Sequence, residues 1–137
     1  MAALYMLDTN IAAYLLRGQF PALDARIRAV PPAQLCISAI TRGEMLHGVQ
    51  LKPEATHLNR LIEHFLHTVE CLPWDSTAAT HFGTIAAELQ RTGTGIGTMD
   101  TLLASHALAV DAVMVTNNIR HFERVRGLKI ENWTQEH

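Results

Sequence analysis

The chain has 137 residues, 48% hydrophobic and 18% charged, and its formal net charge of −2 offers no blanket attraction to nucleic acid. That length and apolar content suit one domain over residues 1–137 with a real hydrophobic core, and they argue against disorder. No apolar run approaches the roughly 18–20 residues of a membrane span and no secretory leader is legible, so a cytoplasmic globule is expected.

Leu4-Tyr5-Met6-Leu7 runs straight into Asp8-Thr9-Asn10 and then Ile11-Ala12-Ala13-Tyr14-Leu15-Leu16. A continuous apolar run closed by turn chemistry reads as a strand buried on both faces, as in a parallel sheet. Asp8 or Thr9 caps the helix that follows, which puts Asp8 just past the carboxyl end of a central strand. Arg17-Gly18 ends this helix, with Gly18 available for the left-handed position. Pro21 opens a second helix through Ala29, and Pro31-Pro32 closes it. Leu35-Cys36-Ile37 reads as the second strand. Ser38 then caps a helix carrying Ile40, Gly43, Glu44, Leu46 and Val49. After Pro53-Glu54, the stripe Leu58, Leu61, Ile62, Phe65 and Leu66 marks an amphipathic helix.

Val69-Glu70-Cys71-Leu72-Pro73-Trp74 reads as the third strand, with Pro73 suited to a strand end or a sheet edge. Asp75-Ser76 caps a helix that buries Phe82, Ile85, Ala86 and Leu89 and stops at Gly93. The loop Gly93-Thr94-Gly95-Ile96-Gly97 leads through Thr98-Met99-Asp100 into an apolar helix from Leu102 to Ala109. Val113-Met114-Val115-Thr116 is the fourth strand, and Asn117-Asn118 turns into a brief helix around Phe122. Leu128-Lys129-Ile130 is a short fifth strand. Strands alternating with helices predict an α/β fold, a parallel sheet with right-handed crossovers and helices on both faces. With the first strand central, a crevice opens at its carboxyl end, shared by Asp8 and the Asn117-Asn118 turn.

Three Asp-Thr/Ser pairs stand at helix starts: Asp8-Thr9, Asp75-Ser76 and Asp100-Thr101. Capping alone explains all three. Glu44 is different, because a carboxylate in a mostly apolar helix is costly unless it is paired, with Arg42 or Arg17 as the nearest candidates. Cys36 and Cys71 lack C-x-x-C spacing and read as buried reduced thiols. No zinc spacing appears and H-E-x-x-H is absent. His57, His64 and His67 share part of a helix face without forming a metal motif, and a D-x-D phosphatase signature fails at Asn10. Arg120, Arg124, Arg126 and Lys129 form either a local basic rim able to attract phosphate or an ordinary solvated surface.

Taken together and in order, four stretches resemble the PIN-domain ribonucleases, and most closely the VapC-type toxins of bacterial toxin–antitoxin pairs. They are Leu4 to Asn10, Ser38 to Val49, Ile96 to Ala104, and Val115-Thr116-Asn117-Asn118 with His121-Phe122. The match closes on Gly127-Leu128 and Glu131-Asn132-Trp133. The resemblance implies a PIN-like (Rossmann-like) sheet of about five strands in the order 3-2-1-4-5. It also implies Asp8, Glu44 and Asp100 as metal-binding catalytic acids, with Thr9, Asn10, Thr116, Asn117 and Asn118 supporting them.

Three carboxylates offer hard oxygen ligands suited to Mg²⁺ or Mn²⁺. The implied activity is a metal-dependent endoribonuclease that cuts RNA, tRNA above all, and so stops translation. Arg120, Arg124 and Arg126 are then candidate RNA contacts. An antitoxin partner and a homodimer are implied as well. Where many PIN domains carry a fourth acid, this chain has neutral Asn118, and Glu123 one turn on is the possible substitute. The alternative function is a non-catalytic RNA- or partner-binding module of the same fold. A complete acidic triad argues against it, since a pure binder has no reason to keep three carboxylates near phosphate.

Overall fold

A computed structural model describes residues 2–135. Five parallel strands make one sheet in the order β3-β2-β1-β4-β5, as expected. The strands are β1 (Tyr5–Leu7), β2 (Leu35–Ser38), β3 (Glu70–Leu72), β4 (Val113–Val115) and β5 (Ile130–Glu131). Among the described residues the helices are α1 (Thr9–Arg17), α2 (Pro21–Ala29), α3 (Ala39–Leu51), α4 (Thr56–Thr68), α5 (Ser76–Arg91), α6 (Thr98–Ala109) and α7 (Ile119–Phe122). None of them is long and apolar enough to cross a membrane.

Alternation along the short strands supplies both halves of the core. Met6, Cys36 and Met114 face one side, where they meet Ile85 and Leu89 of α5, Leu103, Ala104 and Ala107 of α6, and Phe122. Leu7, Ile37 and Val115 face the other side, against Ile11, Leu23, Met45, Leu66 and Trp133. Adjacent strand residues point to opposite faces, so a central strand covered on both sides, such as β1 or β4, must be apolar throughout. That is the pattern the continuous runs displayed. At the carboxyl end, Trp133 donates to Glu131 at 2.9 Å, and Arg26 lies over the indole ring at 4.9 Å.

Every strand differs from its expected bounds, β1 by beginning at Tyr5 rather than Leu4 and β2 by running on to Ser38. β3 ends at Leu72 because Pro73 has no N–H to continue the ladder with β2. β5 is shifted to Ile130–Glu131, since Met114 pairs with Ile130 and Val115 with Glu131. β4 stops at Val115 by assignment, yet Thr116 N–H still donates to Glu131 O at 3.0 Å. Cys36 is buried, and burial pushes its thiol up to about 12; Cys71 is only half-buried, although neither is bonded to another cysteine.

One helix start bears on the setting of Asp100. The last loop residue, Gly97, has φ +90 and ψ 156, a conformation that side chains strongly disfavour. Its carbonyl accepts from Thr101 N–H at 3.0 Å and from the Thr101 hydroxyl at 2.6 Å. Helix α6 therefore begins at Thr98, four residues before the expected Leu102. Asp100 lies inside its first turn, so the capping explanation does not hold for that residue.

Candidate active site

Three different elements contribute the acidic residues. Asp8 is the first residue after β1 and remains in the ladder, its N–H donating to Val115 O at 3.0 Å. Its Oδ1 accepts from Ile11 N–H at 2.8 Å, which caps α1. The side chain is 4% exposed. Burial, with smaller contributions from the negative charges of Asp100 and Glu44, raises its carboxyl from 3.8 to about 6, against the opposing pull of the Thr116 hydroxyl and Ile11 N–H. A single buried carboxylate therefore senses both other acids.

Glu44 is half-buried on α3 and accepts a hydrogen bond from the Thr9 hydroxyl. The fully buried Thr41 supports that contact, its Oγ1 lying 3.1 Å from Thr9 Oγ1. Neither Arg42 nor Arg17 pairs with Glu44 among the described residues. Arg42 is two positions away, and residues so spaced lie on opposite sides of a helix. Asp100 Oδ2 lies 2.9 Å from His121 Nδ1 and 3.5 Å from Asn118 Nδ2. Asp75 is a plain cap, accepting from Ala78 N–H at 3.1 Å.

Among the described residues, no three His, Cys, Asp or Glu side chains are drawn close enough to hold one ion as they stand. Each acid is turned onto a polar neighbour: Asp8 onto Ile11 N–H, Glu44 onto Thr9, Asp100 onto His121. The donor chemistry nevertheless fits a hard divalent cation. All three acids present oxygen, and the carboxylate of Asp8 is disfavoured by burial and by its two acidic neighbours, a condition that added positive charge relieves.

The structure draws in some of the expected supporting residues and leaves others out. Thr9 and Thr116 touch the acids directly. Asn118 donates its N–H to Thr116 Oγ1 at 2.9 Å, and its side chain reaches Asp100. Asn117 instead reaches the Tyr14 hydroxyl at 3.5 Å, and exposed Asn10 makes no side-chain hydrogen bond among the described residues. Glu123 is exposed at the end of α7. In the basic cluster, Arg124 donates to Gly95 O at 3.1 Å, Arg126 is 3.4 Å from Glu88, and Lys129 is 3.1 Å from Asp111. Arg120 is exposed beside His121 and has no such partner among the described residues.

Two histidines enter the site region without having carried any role in the sequence. His121 belongs to the fourth matching stretch and follows Asn118 by three residues, a spacing that brings both to one helix face. His106 is 1% exposed on α6, with Nδ1 2.7 Å from Ser38 Oγ and Nε2 without a hydrogen-bond partner among the described residues. Ser38 also caps α3, accepting from Ile40 N–H at 3.1 Å. This contact ties the helix of Glu44 to the helix of Asp100. Ser38→Ala removes the cap and strands a buried ring nitrogen, so a loss of about 1–3 kcal/mol is expected in urea unfolding. An unchanged midpoint and slope would count against the link.

Comparison with known proteins identifies the family and the fold. The family model described as PIN domain matches residues 5–128. A protein of Shigella flexneri named tRNA(fMet)-specific endonuclease VapC is 36% identical over 130 residues, which cover 95% of this chain and 98% of that protein. Ribonuclease VapC2 of Haemophilus influenzae is 36% identical over 129 residues, covering 94% of this chain and 97% of its own length. Among solved structures, DNA-bound VapBC from Salmonella typhimurium superposes with a TM-score of 0.89 at 36% identity, covering 96% of this chain and 99% of that one. VapBC2 from Rickettsia felis, bound to a promoter DNA fragment, gives 0.87 at 31% identity, with 95% and 98% covered.

Proposed function

The chain belongs to the PIN-domain family, and from that premise we propose that it acts in the cytoplasm as a single-domain, metal-dependent endoribonuclease toxin whose substrate is tRNA. The relatives named above as a tRNA-specific endonuclease and a ribonuclease support the substrate class, and the VapBC assemblies support a cognate antitoxin partner. One observation carries the reading most directly. The buried carboxylate of Asp8, at the end of the central strand, is raised by burial and by both Asp100 and Glu44.

Asp8, Glu44 and Asp100 would hold a divalent cation, Mg²⁺ or Mn²⁺. When bound, such an ion offsets charge building on the phosphate and acidifies water for attack on phosphorus. The chain's own groups orient the acids. Thr9 holds Glu44, Thr116 and Ile11 N–H hold Asp8, and His121 with Asn118 holds Asp100. Orientation by fixed neighbours lowers the cost of arranging the reacting groups. The deciding experiment incubates purified protein with total RNA and Mg²⁺ or Mn²⁺, with and without EDTA, then sequences new ends. Discrete ends in tRNA that vanish with EDTA are expected; intact RNA under all conditions would overturn the assignment and favour the binding-module alternative.

Arg120, Arg124 and Arg126 are proposed RNA contacts of unequal weight, because Arg124 and Arg126 already have local partners. Arg120→Ala in a Glu44→Gln background should flatten the log–log salt dependence of tRNA binding by about 0.7–0.9, the signature of one phosphate contact. Arg126→Ala should change it less. Fluorescence anisotropy across a salt series reads both slopes.

For the antitoxin, a cavity of about 250 Å³ runs from Thr9 and Glu44 past Leu16, Met45 and Leu51. Leu51 is 67% exposed there, an apolar side chain left for a partner to cover. The groove is lined by residues of α1, α3 and α4, among them Ala13, Gly48 and Ile62. A basic side chain of the antitoxin, Arg by its bidentate fit, would reach Glu44 from this groove. Binding assays with the neighbouring open reading frame's product, and light scattering for the expected homodimer, test these partners.

A further inference from the structure

One buried polar pair joins two of the helices that carry the acids. Ser38 opens α3, six residues before Glu44, and His106 lies on α6, six residues after Asp100. His106 Nδ1 is 2.7 Å from Ser38 Oγ, a contact that closes a separation of 68 residues, and both side chains are buried. We infer that His106 is a positioning residue for RNA cleavage: through Ser38 it fixes the register of α3 against α6, and with it the placement of Glu44 relative to Asp100. The inference rests on the endoribonuclease reading above and concerns what holds its acids in place.

The first argument is what the ring costs. Its neighbours on α6, Leu103, Ala104 and Ala107, are core residues, and an aliphatic side chain at position 106 would bury with no polar atom to satisfy. The imidazole instead leaves Nε2 without a hydrogen-bond partner among the described residues, which destabilises the fold. Ser38 needs no help to cap α3, since its Oγ already accepts from Ile40 N–H at 3.1 Å. Neither helix therefore requires the bond between them for its own formation. What the bond adds is a fixed distance between two packed helices, whose non-directional apolar contacts alone would tolerate sliding.

The hydrogen count is the second. With the Ser38 hydroxyl donating to a bare Nδ1 and accepting from Ile40 N–H, only the Nε2 hydrogen lacks a partner among the described residues. With the proton on Nδ1 instead, the hydroxyl hydrogen and the Nε2 lone pair are both stranded. The first arrangement needs a neutral ring. Burial lowers the His106 pKa, against a weaker upward pull from the Asp75 carboxylate and the Pro73 carbonyl, which keeps the ring neutral at physiological pH. Lever arm is the third argument. Six residues of helix span about 9 Å, so a small turn of either helix is carried to its acid. A displacement of about 1 Å at reacting groups slows a reaction by about a hundredfold.

The test compares the full-length parent with His106→Leu, His106→Asn, Ser38→Ala and the Ser38→Ala/His106→Leu double variant, on labelled tRNA with Mn²⁺. In His106→Leu and in Ser38→Ala, kcat should fall about 10- to 100-fold with KM changed no more than about twofold. The double variant should be hardly slower than either single one, because both remove the same bond. His106→Asn, which offers a polar atom where Nδ1 stood, should recover most of the loss. Independently of activity, ¹⁵N NMR of the metal-free protein should show an unprotonated Nδ1 whose signal moves toward the free-imidazole value in Ser38→Ala. Urea unfolding reads stability separately, and kcat is taken where each variant is fully folded. Parental kcat in both single variants, losses that multiply in the double variant, or an Nδ1 signal indifferent to Ser38→Ala would overturn the positioning role and leave the endoribonuclease assignment standing. A parent that cuts no RNA with Mn²⁺ would overturn that assignment and the inference with it.

Discussion

Asp8→Asn, Glu44→Gln and Asp100→Asn are each expected to lower tRNA cleavage by roughly three orders of magnitude or more, with the fold retained. Each change removes a carboxylate charge and almost no volume. The fold should tolerate all three for separate local reasons. Asn at position 8 can still accept from Ile11 N–H as a cap, since Asn ranks with Asp there. Glu44 and Asp100 cap nothing, and their contacts to Thr9 and to Asn118 and His121 can be kept by an amide. Acids that serve one ion act as a unit, so a double variant should be hardly slower than either single one. Single-turnover cleavage of labelled tRNA, with circular dichroism as the folding control, measures this. Full activity in any one variant would remove that residue from the site, and additive losses would mean that the three act separately.

The metal-free protein should become more stable, by about 3 kcal/mol at pH 7.5, when Asp8 is replaced by Asn. The carboxyl of Asp8 stands at about 6 in the folded chain against 3.8 unfolded, chiefly because it is buried. At about 1.4 kcal/mol per pH unit, that difference sets the size of the effect. A carboxyl raised on folding favours the folded state fully below pH 3.8. This contribution is lost as pH rises to about 6, and the penalty is constant above that.

Parent and Asp8→Asn should therefore unfold alike near pH 3.5 and diverge between roughly pH 4 and 6. At pH 7.5 in EDTA they should differ in melting temperature by roughly 10 °C. Saturating Mn²⁺ should narrow or reverse the gap, since an ion at about a hundred times its dissociation constant adds about 2.7 kcal/mol to the parent alone. Urea unfolding across pH, with and without Mn²⁺, reads every part of this. Parallel curves at all pH values would mean that Asp8 carries no folding penalty.

The architecture was legible because it is written in local, repeated signals. Leu4 to Leu7 and Val113 to Val115 are apolar at every position, which a strand covered on both faces requires, and Gly18 marks its helix end with φ +64. Strand ends were less legible, because the bounds of β5 depend on which residues β4 offers as partners. Asp8 could be placed from the chain alone, since a residue just after a central strand has only one place to be.

Glu44 and Asp100 could be named by resemblance, but their surroundings could not. That Glu44 bonds Thr9 rather than an arginine follows from where α1 packs against α3, a contact spanning 35 residues of sequence. That Asp100 is no cap follows from the backbone of Gly97, and that it meets His121 follows from a 21-residue separation closed by the fold. By itself the sequence determined the strands and helices, because side-chain periodicity and capping act between near neighbours, while the acids were named only through resemblance. Only the tertiary structure decided which polar partner each acid has, because hydrogen bonds between distant segments depend on distances that local preference does not encode.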